Sequence, residues 1–122
     1  MNKSKVTMEQ INRIELRGNV GSVKLQNFEN RKMARISLAT NFAYKDKLGS
    51  AVIETTWHNL IAWEGKNVSD LDKIKVGTML QASGRMRFQK YKTAEGEEKE
   101  LPEVLVSKLS IINDDEGLSC EM

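Results

Sequence analysis

The sequence predicts an all-β domain of five strands with one short helix between the third and the fourth. Three observations support this prediction: apolar and polar residues alternate in several segments, β-branched and aromatic residues concentrate there, and glycines stand between them. The 122 residues, 39% of them hydrophobic and 30% charged, suit a single globular domain with a sizeable core. No apolar run approaches the roughly 18–20 residues that a membrane helix needs.

Strand patterns occur five times along the chain. In Arg13–Val20, and again in Met33–Thr40, an apolar or small residue occupies every second position. The third segment, Val52–Trp63, is rich in β-branched and aromatic residues, and the fourth and fifth, Met79–Tyr91 and Glu103–Ile111, alternate again. Period-two alternation is typical of strands with one buried face.

The segment between the third and fourth strands predicts the helix. In Lys66–Lys75, the apolar residues Val68, Leu71 and Ile74 recur at a spacing of three and form one stripe, and Gly77 follows the end. The order strand, strand, strand, helix, strand, strand is that of the OB-fold, a five-stranded Greek-key barrel. Polar segments that contain Gly, Asn or Asp are predicted as loops: Gly21–Lys32, Ala43–Ala51 and Lys92–Glu100.

Charge is distributed unevenly along the chain. Residues 1–92 carry 17 Lys and Arg against 8 Asp and Glu, whereas residues 93–122 carry 2 against 9. This asymmetry is typical of a body that binds a polyanion, and equally of a solvated surface with a charged end. Periodicity is lost after residue 112, so we expect an OB-fold domain over residues 1–112 and a short acidic flexible tail over residues 113–122.

The sequence contains neither a catalytic motif nor a metal-binding pattern. There is no Gly-rich phosphate loop and no nucleophile motif. The single cysteine, Cys120, excludes an internal disulfide, and one histidine, His58, is too few for a His/Cys zinc site. We therefore expect no enzyme activity, no cofactor and no metal. No secretory signal is visible, so we expect a cytoplasmic protein.

The aromatic residues lie close to cations. Trp57 and Trp63 are six residues apart in the third predicted strand, and an even spacing puts both on one face. Bases stack on flat rings for roughly 1–3 kcal/mol each while cations follow the phosphates, so aromatic residues among cations favour single-stranded nucleic acid. The alternative interpretation is that both tryptophans belong to the core.

The fourth predicted strand has the same combination on its outward side. Leu80, Ala82, Met86 and Phe88 form its expected core face, and the opposite face carries Arg85, Arg87 and Tyr91. A basic face that ends in an aromatic residue is poorly suited to a core. It is well suited to a polyanion with exposed bases.

Four segments resemble the bacterial single-stranded DNA-binding protein family. They are NRIELRGNVG at 12–21, ISLATN at 36–41, ETTWHN at 54–59 and GRMR at 84–87. The resemblance implies an OB-fold, a homotetramer, and protection of single-stranded DNA in replication, recombination or repair. It also implies a short member, because the family's long linker and its apolar Pro-Phe tip are missing.

The resemblance also implies roles for individual residues. Base stacking falls on the four aromatic positions Tyr44, Trp57, Trp63 and Tyr91. The family's phosphate contacts match Lys45, Lys47, Arg87 and Lys90. We add Arg17, Arg85 and Lys92 because of their positive charge and the strand side on which we expect them. His58 matches a position close to the subunit interface, and Asn59 replaces an arginine that the family often has.

Two alternatives remain open from the sequence. The first stays among nucleic-acid binders and is a primosome-type or RNA-binding OB protein, which 2′-hydroxyl contacts would distinguish. The second is a protein-interaction module on a small barrel without affinity for nucleic acid.

Overall fold

A computed structural model of the chain describes residues 10–112. The strands are β1 (Ile14–Phe28), β2 (Arg31–Lys45), β3 (Ala51–Trp63), β4 (Met79–Lys92) and β5 (Glu98–Ile112). They close into a barrel in the order β1-β2-β3-β5-β4, in which β3 and β5 are parallel and every other pair is antiparallel. The predicted all-β, OB-type barrel is confirmed. Residues 113–122, predicted as an acidic tail, lie outside the described part of the chain.

The barrel core is formed by alternate residues of all five strands. Leu38, Leu60, Leu80 and Leu109 are completely or almost completely buried, and each comes from a different strand. Leu71, from the connection between β3 and β4, belongs to the same cluster. Burying a leucine side chain contributes about 1.5–3 kcal/mol, so these contacts dominate the stability of the fold.

The predicted helix over Lys66–Lys75 is wrong in type and length. The structure has only a 3₁₀ turn at Leu71–Lys73, which the Asp70 carboxylate caps by accepting from the backbone N–H of Asp72 at 3.0 Å. Val68 lies outside the turn and forms an isolated bridge to β5. Of the three apolar residues only Leu71 lies within the turn, so their spacing of three does not reflect a helical stripe. Among the described residues, no helix is long and apolar enough to cross a membrane.

The three predicted loops are shorter than expected, because the strands continue through most of them. The connections are the turns at 29–30, 46–50 and 93–97, and the strands on either side remain paired as far as Lys45↔Ala51 and Lys92↔Glu98. Beyond the barrel these hairpins are exposed on both sides, so no buried face imposes a regular apolar alternation although pairing continues. We call residues 41–55 the β2–β3 arm and residues 88–102 the β4–β5 arm.

The core face predicted for β4 ends earlier than the sequence indicates. Leu80 and Ala82 are buried, but Met86 is 40% and Phe88 58% exposed. These two side chains lie on the core side of the strand where β4 leaves the barrel for the β4–β5 arm, so the barrel no longer covers them.

Candidate nucleic-acid interface

The two sides of β3 have opposite environments. Leu60 and Ala62 point into the barrel and are fully buried. Trp57 and Trp63 alternate with them and point outward. The Trp57 side chain is 60% exposed, whereas Trp63 is half-buried. We call the outward side of the sheet around β3 the outer face.

Trp57 lies across β1 at a β-bulge. The β1–β2 register shifts between Val20 and Ser22, so Gly21 is the extra residue of β1. A Cβ atom at Gly21 would lie 2.4 Å from Cζ3 and 2.7 Å from Cη2 of Trp57. The indole therefore rests on bare backbone, which only glycine provides there, while much of the ring stays open to solvent.

Gly21→Ala is expected to displace the Trp57 ring and to shift its emission, because the added methyl group would overlap the indole. The measurement is steady-state fluorescence in a Trp63→Phe background, where Trp57 is the sole tryptophan of the chain. Gly65→Ala is the matched control, since a Cβ there would meet nothing nearer than 3.9 Å. Identical Trp57 spectra with and without the Gly21 substitution would contradict the placement.

Two neighbours fix Trp63 at the end of β3. Its ring centroid lies 5.3 Å from that of Phe28, at an interplanar angle of 52°. The guanidinium carbon of Arg31 lies 5.1 Å from the Trp63 centroid, within cation–π range. The Nη2 group of Arg31 also donates to the Glu64 carbonyl at 3.2 Å. Trp63 is therefore less free than Trp57 to accept another flat partner.

Cations surround the outer face. A cavity of about 510 Å³ beside Trp63 is lined in part by Arg31, Lys66 and Arg87. A second cavity, of about 310 Å³, lies over β1, β2 and β3 and includes Lys24 and Arg35. Of these five cations only Arg87 was predicted from the sequence. The strand register was needed to place the other four beside the outer face.

The floor of the outer face is partly apolar. Met33 and Ile61 are buried, but neither belongs to the barrel core cluster. Met33 is directly opposite Trp63 and Ile61 is directly opposite Arg35, so long side chains cover both of them. An apolar floor with cations at its margins suits a ligand with flat apolar groups and negative charges.

Arg87 is held by an acidic partner at the same face. Its Nε atom donates to Oε2 of Glu103 at 2.8 Å, and the two residues are directly opposite on β4 and β5. The Glu103 side chain is almost completely buried and the Arg87 side chain is not. This ion pair was not predicted, because the β4–β5 register cannot be read from the sequence.

The β2–β3 arm carries three of the predicted site residues. Tyr44 is opposite Val52 and shares the strand side of Phe42, with the two ring centroids 6.0 Å apart. That side continues the barrel interior, so alternation places Tyr44 and Trp57 on opposite sides of the hairpin. Lys45 ends β2 and Lys47 lies in the turn that follows.

The β4–β5 arm carries three more. Tyr91 shares the strand side of Arg87, and Lys90 and Lys92 alternate to the other side. Lys90 is directly opposite Glu100, and Lys92 is directly opposite Glu98. Opposite charges that face each other across a strand pair attract, although neither lysine forms an ion pair within residues 10–112.

The two remaining predicted cations lie towards β1. The Arg17 guanidinium donates to Gln81 Oε1, at 3.0 Å from Nε and 2.6 Å from Nη2. Arg85 lines a cavity of about 590 Å³ over β1, β4 and β5, together with Arg13 and Glu15. The structure does not place Arg17 or Arg85 in the cavity beside Trp63.

His58 lies on the side of β3 away from the outer face. Its Nε2 atom and the Thr40 hydroxyl are 2.9 Å apart and share a hydrogen bond. Burial lowers the pKa of the His58 imidazole below its ordinary value of 6.5, so the ring is neutral at pH 7. A cavity of about 300 Å³ beside His58 is lined in part by Ile14, Met86 and Val104.

These features define a class: a closed OB-type barrel with an accessible tryptophan and a cationic outer face. The chain belongs to the single-strand binding protein family, whose model matches residues 11–112. The match therefore covers all five strands.

Individual relatives agree with this assignment. The chain is 26% identical over 104 residues to a single-stranded DNA-binding protein of Xanthomonas campestris pv. campestris, covering 84% of this chain and 60% of that protein. A single-stranded DNA-binding protein of Rickettsia felis is 29% identical over 105 residues, covering 82% of this chain and 68% of the relative. The chain thus spans about 60% of the length of the Xanthomonas relative.

Solved structures show the same architecture. The Plasmodium falciparum SSB in complex with ssDNA matches with a TM-score of 0.72 and 25% identity, covering 93% of this chain and 100% of that one. A deletion mutant of the single-stranded DNA-binding protein from Thermus aquaticus matches with a TM-score of 0.66 and 14% identity, covering 85% of this chain and 51% of the other. The second match concerns the fold alone.

Proposed function

We propose that this protein binds single-stranded DNA with little sequence preference and protects it during replication, recombination or repair. The observation that carries the proposal is the accessible Trp57 ring, which lies on Gly21 at the edge of a cationic face. Membership of the single-strand binding protein family and the likeness to an SSB–ssDNA complex support it. In this proposal the protein is a binding protein of the bacterial cytoplasm, with no catalytic role.

The mechanism combines stacking with charge. A base stacks on Trp57, and further bases use Trp63 and Tyr91; stacking on Tyr44 requires the strand to pass around the β2–β3 arm, because Tyr44 lies on its other side. Phosphates between the bases lie near the cations of the outer face, whose attraction does not depend on sequence. Every base has a flat face, so stacking tolerates any sequence.

Tryptophan emission tests the proposal directly. Titration of the wild-type protein with unlabelled oligothymidylate is expected to quench the emission strongly, because bases stack on the indoles. Oligouridylate and duplex DNA of matched length serve as competitors. Displacement by RNA as effective as by DNA would favour an RNA-binding OB protein. An emission spectrum that no nucleic acid alters would favour a protein-interaction barrel.

We also propose that the protein assembles as a homotetramer. The single chain leaves large apolar side chains uncovered on the two arms, among them Phe42 and Phe88 on the strand side that continues the barrel interior. Contiguous exposed apolar surface marks interaction sites, and the rings of Phe42 and Tyr44 adjoin each other with their centroids 6.0 Å apart. The cavity beside His58 opens on the same side of β3 as Phe42, so an approaching copy would enclose the imidazole.

His58→Glu is expected to shift the assembly toward smaller species, because a carboxylate enclosed between subunits loses its hydration without gaining a partner. Light scattering at micromolar concentration measures the mass of the wild type and of the variant. Val76→Glu is the control, since it puts the same charge on an exposed residue outside the cavity beside His58. A monomeric mass for the wild-type protein would overturn the assembly proposal.

A further inference from the structure

Glu103 is an unexpected residue at the surface proposed to bind a polyanion. Among residues 10–112 it is the one charged side chain that the barrel buries. It belongs to β5 and contributes to the cavity that also holds Lys24 and Arg35. A carboxylate repels phosphates, so Glu103 cannot contribute to DNA binding by direct attraction and must have another role at this face.

The geometry of the ion pair indicates that role. Oε2 of Glu103 accepts from Nε of Arg87 at 2.8 Å, and the side chains are 3% and 40% exposed, respectively. The carboxylate is therefore the buried partner of the ion pair, and the guanidinium is the partner that reaches the solvent. Arginine has five N–H donors, and within residues 10–112 the Arg87 side chain donates only through Nε–H, so there both terminal NH₂ groups remain for a ligand.

We propose that Glu103 is a positioning residue, which fixes the Arg87 guanidinium at the outer face so that its terminal NH₂ groups receive a DNA phosphate. The inference rests on the proposed single-stranded DNA binding. A free arginine loses rotamer freedom when it binds a phosphate. Glu103 imposes most of that loss during folding, so less is lost when DNA binds.

Glu103 thus has two opposing effects on binding. Its charge weakens the attraction of Arg87 for a phosphate, and its hydrogen bond orients Arg87 for the same phosphate. Glu103→Gln and Glu103→Met separate these effects. Both remove the charge and keep a side chain of similar length, but only glutamine retains an oxygen that accepts from Arg87 Nε.

The experiment compares the affinities of the wild type, Glu103→Gln and Glu103→Met for oligothymidylate. Glu103→Gln is expected to bind at least as tightly as the wild type. Glu103→Met is expected to bind about two- to tenfold more weakly than Glu103→Gln, the range for ordering one long side chain. In an Arg87→Gln background this difference should vanish, because the guanidinium to be positioned is gone.

A second measurement does not depend on the folding of Glu103→Met. The Nε–Hε group of Arg87 in the free wild-type protein is expected to be more rigid by NMR relaxation than that of Arg85. Arg85 is exposed on the same strand side and makes no side-chain hydrogen bond within residues 10–112.

Several outcomes would overturn the inference: equal affinities of the two Glu103 variants, a difference that persists without Arg87, or equal mobility of the two arginines. A wild-type protein that does not bind oligothymidylate would instead remove the proposed function itself. The two failures are therefore distinguishable.

Discussion

Trp57→Ala is expected to weaken binding of single-stranded DNA by about 1–3 kcal/mol, or roughly 5- to 150-fold. The indole is a large, accessible flat surface on the outer face, and it is 60% exposed in the unbound chain. Alanine removes the whole stacking partner. Its effect on the free energy of unfolding should be small, because Trp57 is not part of the barrel core cluster.

Fluorescence anisotropy of a labelled oligothymidylate measures the affinity, and thermal unfolding measures the stability of each variant. Trp57→Phe keeps a ring and should retain much of the affinity. Val76→Ala is the matched control, because Val76 is an exposed apolar residue on the loop before β4 and borders neither tryptophan. A Trp57→Ala protein that melts early, yet binds DNA like the wild type while folded, would assign Trp57 to the structure.

The five strands and their sequence along the chain were predictable, because apolar and polar residues alternate wherever a strand has one face in the barrel core. Leu38 and Leu80 are buried members of such patterns. The strand ends were not predictable. In the β2–β3 arm, Asn41 and Thr55 are paired through a 2.7 Å side-chain hydrogen bond, on a hairpin exposed on both sides. Backbone pairing holds such a hairpin, and backbone pairing leaves no apolar period in the sequence.

The shared face of Trp57 and Trp63 was readable from their even spacing, because alternation is a property of one strand. The partners of those tryptophans were not readable. Arg31 and Arg35 alternate in β2, but only the register Arg35↔Ile61 and Met33↔Trp63 shows that they lie beside the tryptophans. Register depends on pairing across strands and on bulges, which one chain segment does not encode alone.

The affinity for single-stranded DNA is expected to fall steeply with salt. Each phosphate contact on a single strand contributes about −0.7 to the slope of log K against log salt. The two outer-face cavities contain the cations Lys24, Arg31, Arg35, Lys66 and Arg87. If all five contact phosphates, the slope is about −3.5, and affinity falls about a hundredfold between 50 and 200 mM salt. Arg87 should contribute least, because Glu103 already neutralises part of its charge.

A pair of lysine substitutions tests whether this attraction is local to the outer face. Lys24→Gln removes a cation from the cavity that borders Arg35, and it should reduce the slope by about 0.7. Lys73→Gln removes the same charge from the 3₁₀ turn between β3 and β4, outside both cavities, and should leave the slope unchanged. Equal slopes for the two variants would mean that net charge steers the DNA, and that the cations beside the tryptophans do not contact its phosphates.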